Sequence, residues 1–381
     1  MKITISLVLL LFSLSLRSQG VASEIIKAGQ ADAKVFLNAY LQPMFKGFAS
    51  GSNAGWYNSA KPLGKLGFHI SLTASAFDVP ESERYYKFSD LPLQNTLYTY
   101  VPSAASSSSY NLPTIFGKGP DITQSYDISY ALKIGAFDSS VFLCRMQMPE
   151  GLNLPMAPVI PPALQLNLGL FQQTELMIRY FPGISIQNFS SSQFGFGIKH
   201  SIKQWLPAIK KVPFWDWSFI GGFTHFKHIL SVNNSNRLYA SAYPNAINYT
   251  AYKDKLYEDQ SYALLGNAFN LGTAASIKLG PLSPYLGLLY TRSWSGFDML
   301  GTYPVLVAVD DVSHPDFAKP KIEELLNPVQ IHANVDGFRC TAGIRLKLGY
   351  LVLHYDYSLN TYGYNLHSAG IGLHVQELIP L

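Results

Sequence analysis

The sequence predicts an all-β protein, an antiparallel transmembrane β-barrel of about 12 strands (possibly 14) behind an N-terminal helical plug. Three observations predict it. Charged residues make up only 14% of the 381, against roughly 25% in an average soluble domain. Aromatics reach 14%, with 24 Tyr and 23 Phe. Apolar and polar residues alternate with a period of two in segment after segment from Leu66 to Val375. A wall that faces lipid excludes charge and carries aromatic girdles at both interfaces, so one architecture accounts for both departures in composition.

The first residues read as a secretory signal, expected over 1–20: Lys2, an apolar run from Ile5 to Leu16, then Ser18-Gln19-Gly20-Val21-Ala22, with cleavage after Gly20 or Ala22. That run is too short to span a bilayer as a helix, which takes about 20 residues. Later apolar stretches are broken every second or third position by polar residues or Gly. The reading is Sec-dependent export to the bacterial outer membrane, with outer-membrane lipid as the surrounding partner. The net charge of +4 falls to +2 once Lys2 and Arg17 leave, and no Lys/Arg-rich run suggests nucleic acid.

Residues 21–62 form the expected plug and 63–381 the barrel. From Glu24 to Phe48, Leu37, Leu41, Met44 and Phe48 recur at helical spacing, with Phe36 and Tyr40 beside them. Pro43 is expected to bend or divide this helix. A small-residue connector, Ala49 to Gly55, leads to Trp56 and on to Pro62. The apolar plug face of Phe36, Leu37, Tyr40, Leu41 and Met44, with Trp56, either lines a greasy path or packs against the barrel wall or itself.

Strands are expected at 66–78, 126–137, 141–148, 163–170, 175–181, 193–200, 214–227, 261–279, 284–295, 336–347, 351–359 and 366–375. Links at 138–140, 171–174, 280–283 and 348–350 are tight, while 79–125, 228–260 and 296–335 are long. Short turns on one side and long loops on the other mark a barrel of the outer membrane. In the strand from Phe338 to Leu348, Arg339, Arg345 and Lys347 all fall on the polar face. Charge at the lipid midplane costs roughly 2 to 4 kcal/mol for each Arg or Lys, so the polar face belongs inside. Ser201 to Pro213, with Ile202, Trp205, Leu206 and Ile209 on one face, reads either as a brief interfacial helix under the rim or as an irregular loop.

Several stretches resemble an uncharacterised outer-membrane barrel family of the Bacteroidota, a domain of unknown function. These are Ala39-Tyr40-Leu41 through Asn53-Ala54-Gly55-Trp56-Tyr57-Asn58-Ser59-Ala60-Lys61-Pro62, LPTIFG from Leu112 to Gly117, GIKHSIKQWLPAIKKVPF from Gly197 to Phe214, and GIRLKLGYLVLHYDYSL from Gly343 to Leu359. The resemblance runs over nearly the whole mature chain and implies the barrel, with no assigned activity. In layout, a helix and an Asn-containing small-residue turn before the first strand, the chain also looks distantly like FadL-like transporters of hydrophobic compounds.

Enzyme chemistry is not indicated. His69, His200, His354 and His374 and many serines are present, but no Gly-x-Ser-x-Gly elbow accompanies them. For metals, His225 and His228 and the loop cluster Asp310, Asp311, His314 and Asp316 lack regular ligand spacing, so neither a metal nor a cofactor is expected. Cys144 and Cys340 read as two small apolar residues rather than a disulfide. The lumenal cations Arg339, Arg345 and Lys347, with Arg179 and Lys199, either bind the anionic end of a ligand or brace the lumen by pairing with Asp356 and acidic groups of the plug. The tyrosines of the loop from Phe226 to Gln260 serve either ligand capture or packing. The functional expectation is a plugged channel or transporter for a small hydrophobic or amphipathic compound. The alternative is a structural or partner-binding scaffold.

Overall fold

A computed structural model describes residues 23–103, 111–119, 124–134, 137–159 and 161–376, so the expected signal segment lies outside the described residues. Ten strands form the wall: β1 (Phe68–Asp78), β2 (Ala163–Gly169), β3 (Thr174–Ile186), β4 (Phe189–Ser201), β5 (Trp215–Ser231), β6 (Ser261–Ile277), β7 (Leu282–Leu300), β8 (Gln330–Leu348), β9 (Leu351–Asn360) and β10 (Leu366–Val375). Each pairs antiparallel with the next in sequence. β10 returns to β1 in a register running from Phe68 opposite Val375 to Phe77 opposite Leu366. The sheet is thereby closed.

The strand count corrects the expectation of 12 to 14. Ten of the expected segments are wall strands, whereas those at 126–137 and 141–148 belong elsewhere. Ser125–Ile134 and Phe137–Gln147 join Tyr98–Pro102 in a separate three-stranded sheet. β1 and β2 are direct neighbours, so the described residues between 79 and 162 belong to one excursion at the long-loop end. The link at 138–140 is therefore not a turn of the wall. The count stays even, and both ends of the wall lie at the short-turn end.

The wall is inside-out in polarity. Ile70, Leu72, Phe194, Ile198, Leu286, Leu288, Phe338, Ile344, Leu359 and Ile371 are exposed on its outer surface, while Ser71, Thr73, Gln165, Asn167, Thr341, Ser358 and Ser368 are buried inside. With no water in hydrocarbon to satisfy a free strand edge, a closed ladder is the one sheet that a bilayer tolerates. Strands of 17 residues (β5, β6) and 19 residues (β7, β8) exceed the roughly 9 to 11 that a span needs. The excess carries the wall beyond the membrane into a dome. β2 has only 7 residues, and above it Met156–Pro158 takes over the pairing with β1.

The dome is built on the plug helix. A 3-10 turn, Ile26–Ala28, leads into α1 (Gly29–Ser52), which stays one helix through Pro43. At that level it is held from outside, the Ile115 N–H donating to the Tyr40 carbonyl at 3.0 Å. Phe36, Leu37, Tyr40 and Leu41 are buried and Met44 partly so, in a core that dome residues share with the wall strands, Phe226, Tyr262, Phe297 and Ile331 among them. Phe36 packs on Phe88 at 5.5 Å and Tyr100 at 5.9 Å, and Phe88 stacks on Tyr126 at 4.2 Å. In the first turn of α1, the buried Asp32 carboxylate accepts from the Gln94 N–H at 2.6 Å, the Asn95 N–H at 3.1 Å and the Tyr100 hydroxyl at 2.6 Å. It ties the loop to the helix.

Tyr243 and Tyr257 are buried in the same core, and Tyr239, Tyr249 and Tyr252 pack against it, so of the two readings of this loop the structure has packing. Ser201 to Pro213 holds two short turns, Lys203–Trp205 and Pro207–Lys210, rather than one helix. Trp205 is exposed there. Cys144 and Cys340 are both free, the first half-buried in the dome sheet and the second exposed on the outer face of β8 rather than buried. Among the described residues no helix is long and apolar enough to cross a membrane.

Leu288 lies near the middle of β7 on the outer face. Leu288→Arg is expected to lower stability in lipid vesicles by roughly 2 to 4 kcal/mol. Inward-facing Ser293→Ala, which loses one hydrogen bond to the Asn267 carbonyl, is expected to lower it by about 1 kcal/mol. Urea titration of refolded protein reads both, and a silent Leu288→Arg would contradict an outer face in hydrocarbon.

Candidate functional site: the plugged lumen

After α1 the chain continues through the lumen as an extended segment from Asn53 to Pro62 and reaches the short-turn end. There the Leu63 N–H donates to Glu175 Oε2 at 3.0 Å, the Gly64 N–H to the Gln376 carbonyl at 2.8 Å, and the Leu66 N–H to the Gly169 carbonyl at 3.0 Å. The small residues of this segment let it pass where an α-helix would not fit. Its two large side chains set the packing. Trp56 is 1% exposed and lies over three inward-facing glycines. A Cβ on Gly222 would stand 2.7 Å from its ring and one on Gly197 2.8 Å, with Gly195 adjoining. Tyr57 fits against Gly287 and meets Tyr285 edge-on at 5.9 Å. With Ala60, Met177, Ile220, Ala274 and Leu289, these rings form a small apolar cluster inside an otherwise polar wall.

Four of the five expected cations are buried in the lumen, and two of them, Arg179 and Lys199, touch this segment. Arg179 stacks on Trp56 at 4.1 Å and donates to the carbonyls of Ser52 (3.3 Å) and Ala54 (2.7 Å) and to Gln165 Oε1 (3.0 Å). Arg339 donates to the Ser50 carbonyl and to Asn360 Oδ1, the latter at 3.0 Å. Lys199 pairs with Glu175 at 2.9 Å on the adjacent strand. Arg345 donates to His374 Nδ1 at 3.0 Å. Lys347 stands apart, half-buried near the short-turn end of β8. The expected bracing through Asp356 takes another form: that carboxylate accepts from the Tyr285 hydroxyl at 2.9 Å, and the plug offers backbone carbonyls to Arg179 and Arg339 in place of acids. A carbonyl at the end of a helix carries partial negative charge, so Ser50 and Ser52 at the C-terminus of α1 are suited to two guanidinium groups.

Sequence reasoning missed Glu175, whose Oε1 also accepts from Asn167 Nδ2 at 2.6 Å. The signal was present, since Glu175 and Lys199 both carry charge on inward faces and prove to be directly opposite in the ladder. Of the four histidines singled out in the sequence, His69, His354 and His374 are buried. His69 and His374 meet at 5.4 Å, Asn58 Nδ2 donates to His69 Nε2 at 3.1 Å, and His354 contacts Thr73. His225 and His228, three apart on a strand, face opposite sides, the first exposed and the second buried against Ser191. In the loop cluster Asp311 and His314 accept backbone N–H groups and Asp316 pairs with Lys319. No group of metal-ligating side chains occurs among the described residues.

Two spaces border the plug. A cavity of about 20 Å³ lies between Ser52, Ala54 and the wall at Thr73, Arg179 and Gln193. At the short-turn end a basin of about 1100 Å³ is lined by Lys61, Lys65, Lys203 and Lys210, with Asp216 as its one acid among the described residues.

The seating of Trp56 can be tested by a double-mutant cycle. Gly222→Leu is expected to destabilise by about 1 to 3 kcal/mol through overpacking, and Trp56→Ala by about 3 to 5 kcal/mol through the cavity it leaves. Combined, the two should fall short of their sum by about 1 kcal/mol or more, because the added leucine occupies the vacated niche. Denaturant unfolding in detergent measures all three, and strict additivity would place Trp56 elsewhere.

The fold is similar to that of several bacterial outer-membrane proteins. The outer-membrane transporter YddB from Escherichia coli aligns with a TM-score of 0.29 and 10% identity over 80% of this chain, which spans 41% of YddB. Ail, the attachment invasion locus protein of Yersinia pestis, aligns at 0.23 and 9% over 53% of this chain and 91% of its own. The outer-membrane protease OmpT from Escherichia coli aligns at 0.26 and 6% over 81% and 96%. No curated protein matches the sequence. Residues 1–375 match DUF6588, a family of unknown function. The chain, plug and wall together, belongs to that family.

Proposed function

We propose that this chain is a plugged conduit of the bacterial outer membrane, which passes a small hydrophobic or amphipathic compound when its N-terminal segment is displaced. One observation carries the reading: the inner face of the wall is largely polar although the plug lies against it and buries much of it. A permanent filling would be best served by apolar packing, since burial stabilises by about 25 cal/mol per Å² of apolar surface. A wall of Ser, Thr, Asn, Gln, Lys and Arg gives up that gain, and in return it hydrates at little cost once the plug moves.

The contact between plug and wall supports the same reading. Among the described residues, Trp56 Nε1, Arg179 Nε, Thr224 Oγ1, Asn270 Oδ1 and Arg345 Nε are buried without hydrogen-bond partners. A buried polar group left unpaired costs about 1 to 3 kcal/mol, so the plug is held less tightly than its burial implies. The basic basin at the short-turn end gives an anionic headgroup a place to arrive or leave. The distant likeness in layout to FadL-like transporters points to the same cargo class. Binding of a compound inside the lumen needs no catalytic group, and the reading is of a protein that is not an enzyme.

A scaffold without transport is favoured by a different observation, the exposed edge of the dome sheet, where Leu97 and Val101 face outward. The two readings separate in reconstituted vesicles loaded with carboxyfluorescein, a small anionic amphipath. Efflux is expected to be slow for the full chain, faster for Trp56→Ala, and fastest when residues 24–62 are removed and circular dichroism shows the strands retained. Efflux from the plugless barrel equal to that of protein-free vesicles would leave the scaffold reading in its place.

A further inference from the structure

Arg179 is 1% exposed, and its electrostatic setting differs from that of the other buried cations. Lys199 has Glu175, and Arg339 is close enough to Asp356 to interact with its charge. Among the described residues the partners of Arg179 are all neutral: two carbonyls, one carboxamide and the Trp56 ring. The charged side chain that bears on it is a second cation, Arg339. An ion in a protein interior carries a penalty of several kcal/mol that neutral dipoles offset only in part. A counter-charge is therefore called for.

The cavity of about 20 Å³ borders this guanidinium. Arg179 Nε is buried and unpartnered, and so is Oε1 of Gln193, whose side chain lines the same cavity. Gln193 lies two residues before Gly195, the ladder partner of Arg179, so the two long side chains are diagonal neighbours on one face. The oxygen and nitrogen of a carboxamide exchange places by a half-turn, and that turn presents the Gln193 NH₂ to the cavity. Thr73 and Ser75 complete the polar side, with Phe48 and Phe226 opposite. A space of this size holds one body as large as a water molecule. Water would satisfy the N–H groups but leave the charge.

We infer that the cavity beside Arg179 binds one small monovalent anion, a halide or a formate-sized carboxylate, held by Arg179 Nε and the Gln193 carboxamide between plug and wall. The inference stands apart from the conduit reading, since a bound anion would fasten the plug whether or not anything passes.

The test uses the full chain refolded in detergent, with chloride replacing gluconate at constant ionic strength. The thermal midpoint is expected to rise with chloride, the folding constant growing about tenfold per tenfold chloride once the site is mostly filled. Bromide and formate should act alike. Arg179→Gln should lose the response. Gln193→Glu, which supplies a built-in carboxylate, should lose it as well and be as stable in gluconate as the native chain in chloride. A native chain indifferent to chloride, or an Arg179→Gln chain that responds as the native does, would overturn the inference. If Arg179→Gln does not fold, a Gln193→Glu chain still responding to chloride overturns it alone. In bromide-soaked crystals an anomalous peak beside Arg179 supports the site, and peaks confined to the surface refute it.

Discussion

Closure of the strand ladder is the constraint on which the rest depends. In hydrocarbon an unpaired N–H or C=O costs several kcal/mol, so β1 must find β10, and the ten residue pairs from Phe68/Val375 to Phe77/Leu366 are the seam where it does. A closed wall then has only two faces. The outer one must be apolar because it meets lipid, whereas the period of two leaves the inner face free to take either character. Closure thus permits a polar lumen without requiring one, and the inner residues answer to what fills it.

What fills that lumen answers to the wall in kind. A charged inner face left facing a plug of ordinary apolar side chains would strand its guanidinium groups. Here the plug meets Arg179 and Arg339 with the carbonyls of Ser50, Ser52 and Ala54 at and just beyond the end of α1, where backbone acceptors are free because the helix has no further turn to use them. The helix therefore ends where the wall requires acceptors. The dome keeps it there. Asp32 fastens the start of the helix to the loop at Gln94 and Asn95. Lys46 and the Tyr364 hydroxyl share the Glu83 carboxylate at 2.7 and 2.8 Å, which joins the lower helix to the opposite rim.

The wall was legible in the sequence because alternation is a local property, and all ten wall strands announce themselves by it. The miscount has the same origin. Around Tyr126, Ile128 and Tyr130 the alternation is as regular as in any wall strand, but there the apolar residues are buried in the dome core and the polar ones, Asp127 and Arg145, form an exposed pair at 2.6 Å. The pattern is identical and its meaning inverted. Only a long-range fact, the direct pairing of β1 with β2, separates the two cases. The helix and its apolar face were likewise legible, but its partner was not, since dome residues such as Phe88 and Tyr100 reach it across some fifty to sixty positions of sequence. Of the lumenal cations, the sequence identified Arg179, Lys199, Arg339 and Arg345 by face. Their partners depend on register and on the path of the plug, neither of which is local.

Strand number and plug size are finally one quantity. Barrels of about eight strands are filled by their own side chains, while those of sixteen to eighteen enclose a channel of water. Ten strands fall between, too wide for the wall to fill and too narrow for a folded domain. A single extended segment with two aromatic rings matches that width, provided the wall gives way where the rings lie. It does so at Gly195, Gly197 and Gly222 for Trp56 and at Gly287 for Tyr57. Two further strands would leave those rings unsupported and the glycines without a purpose. The niches in β4, β5 and β7 are thus the wall's own record of the segment that fills it.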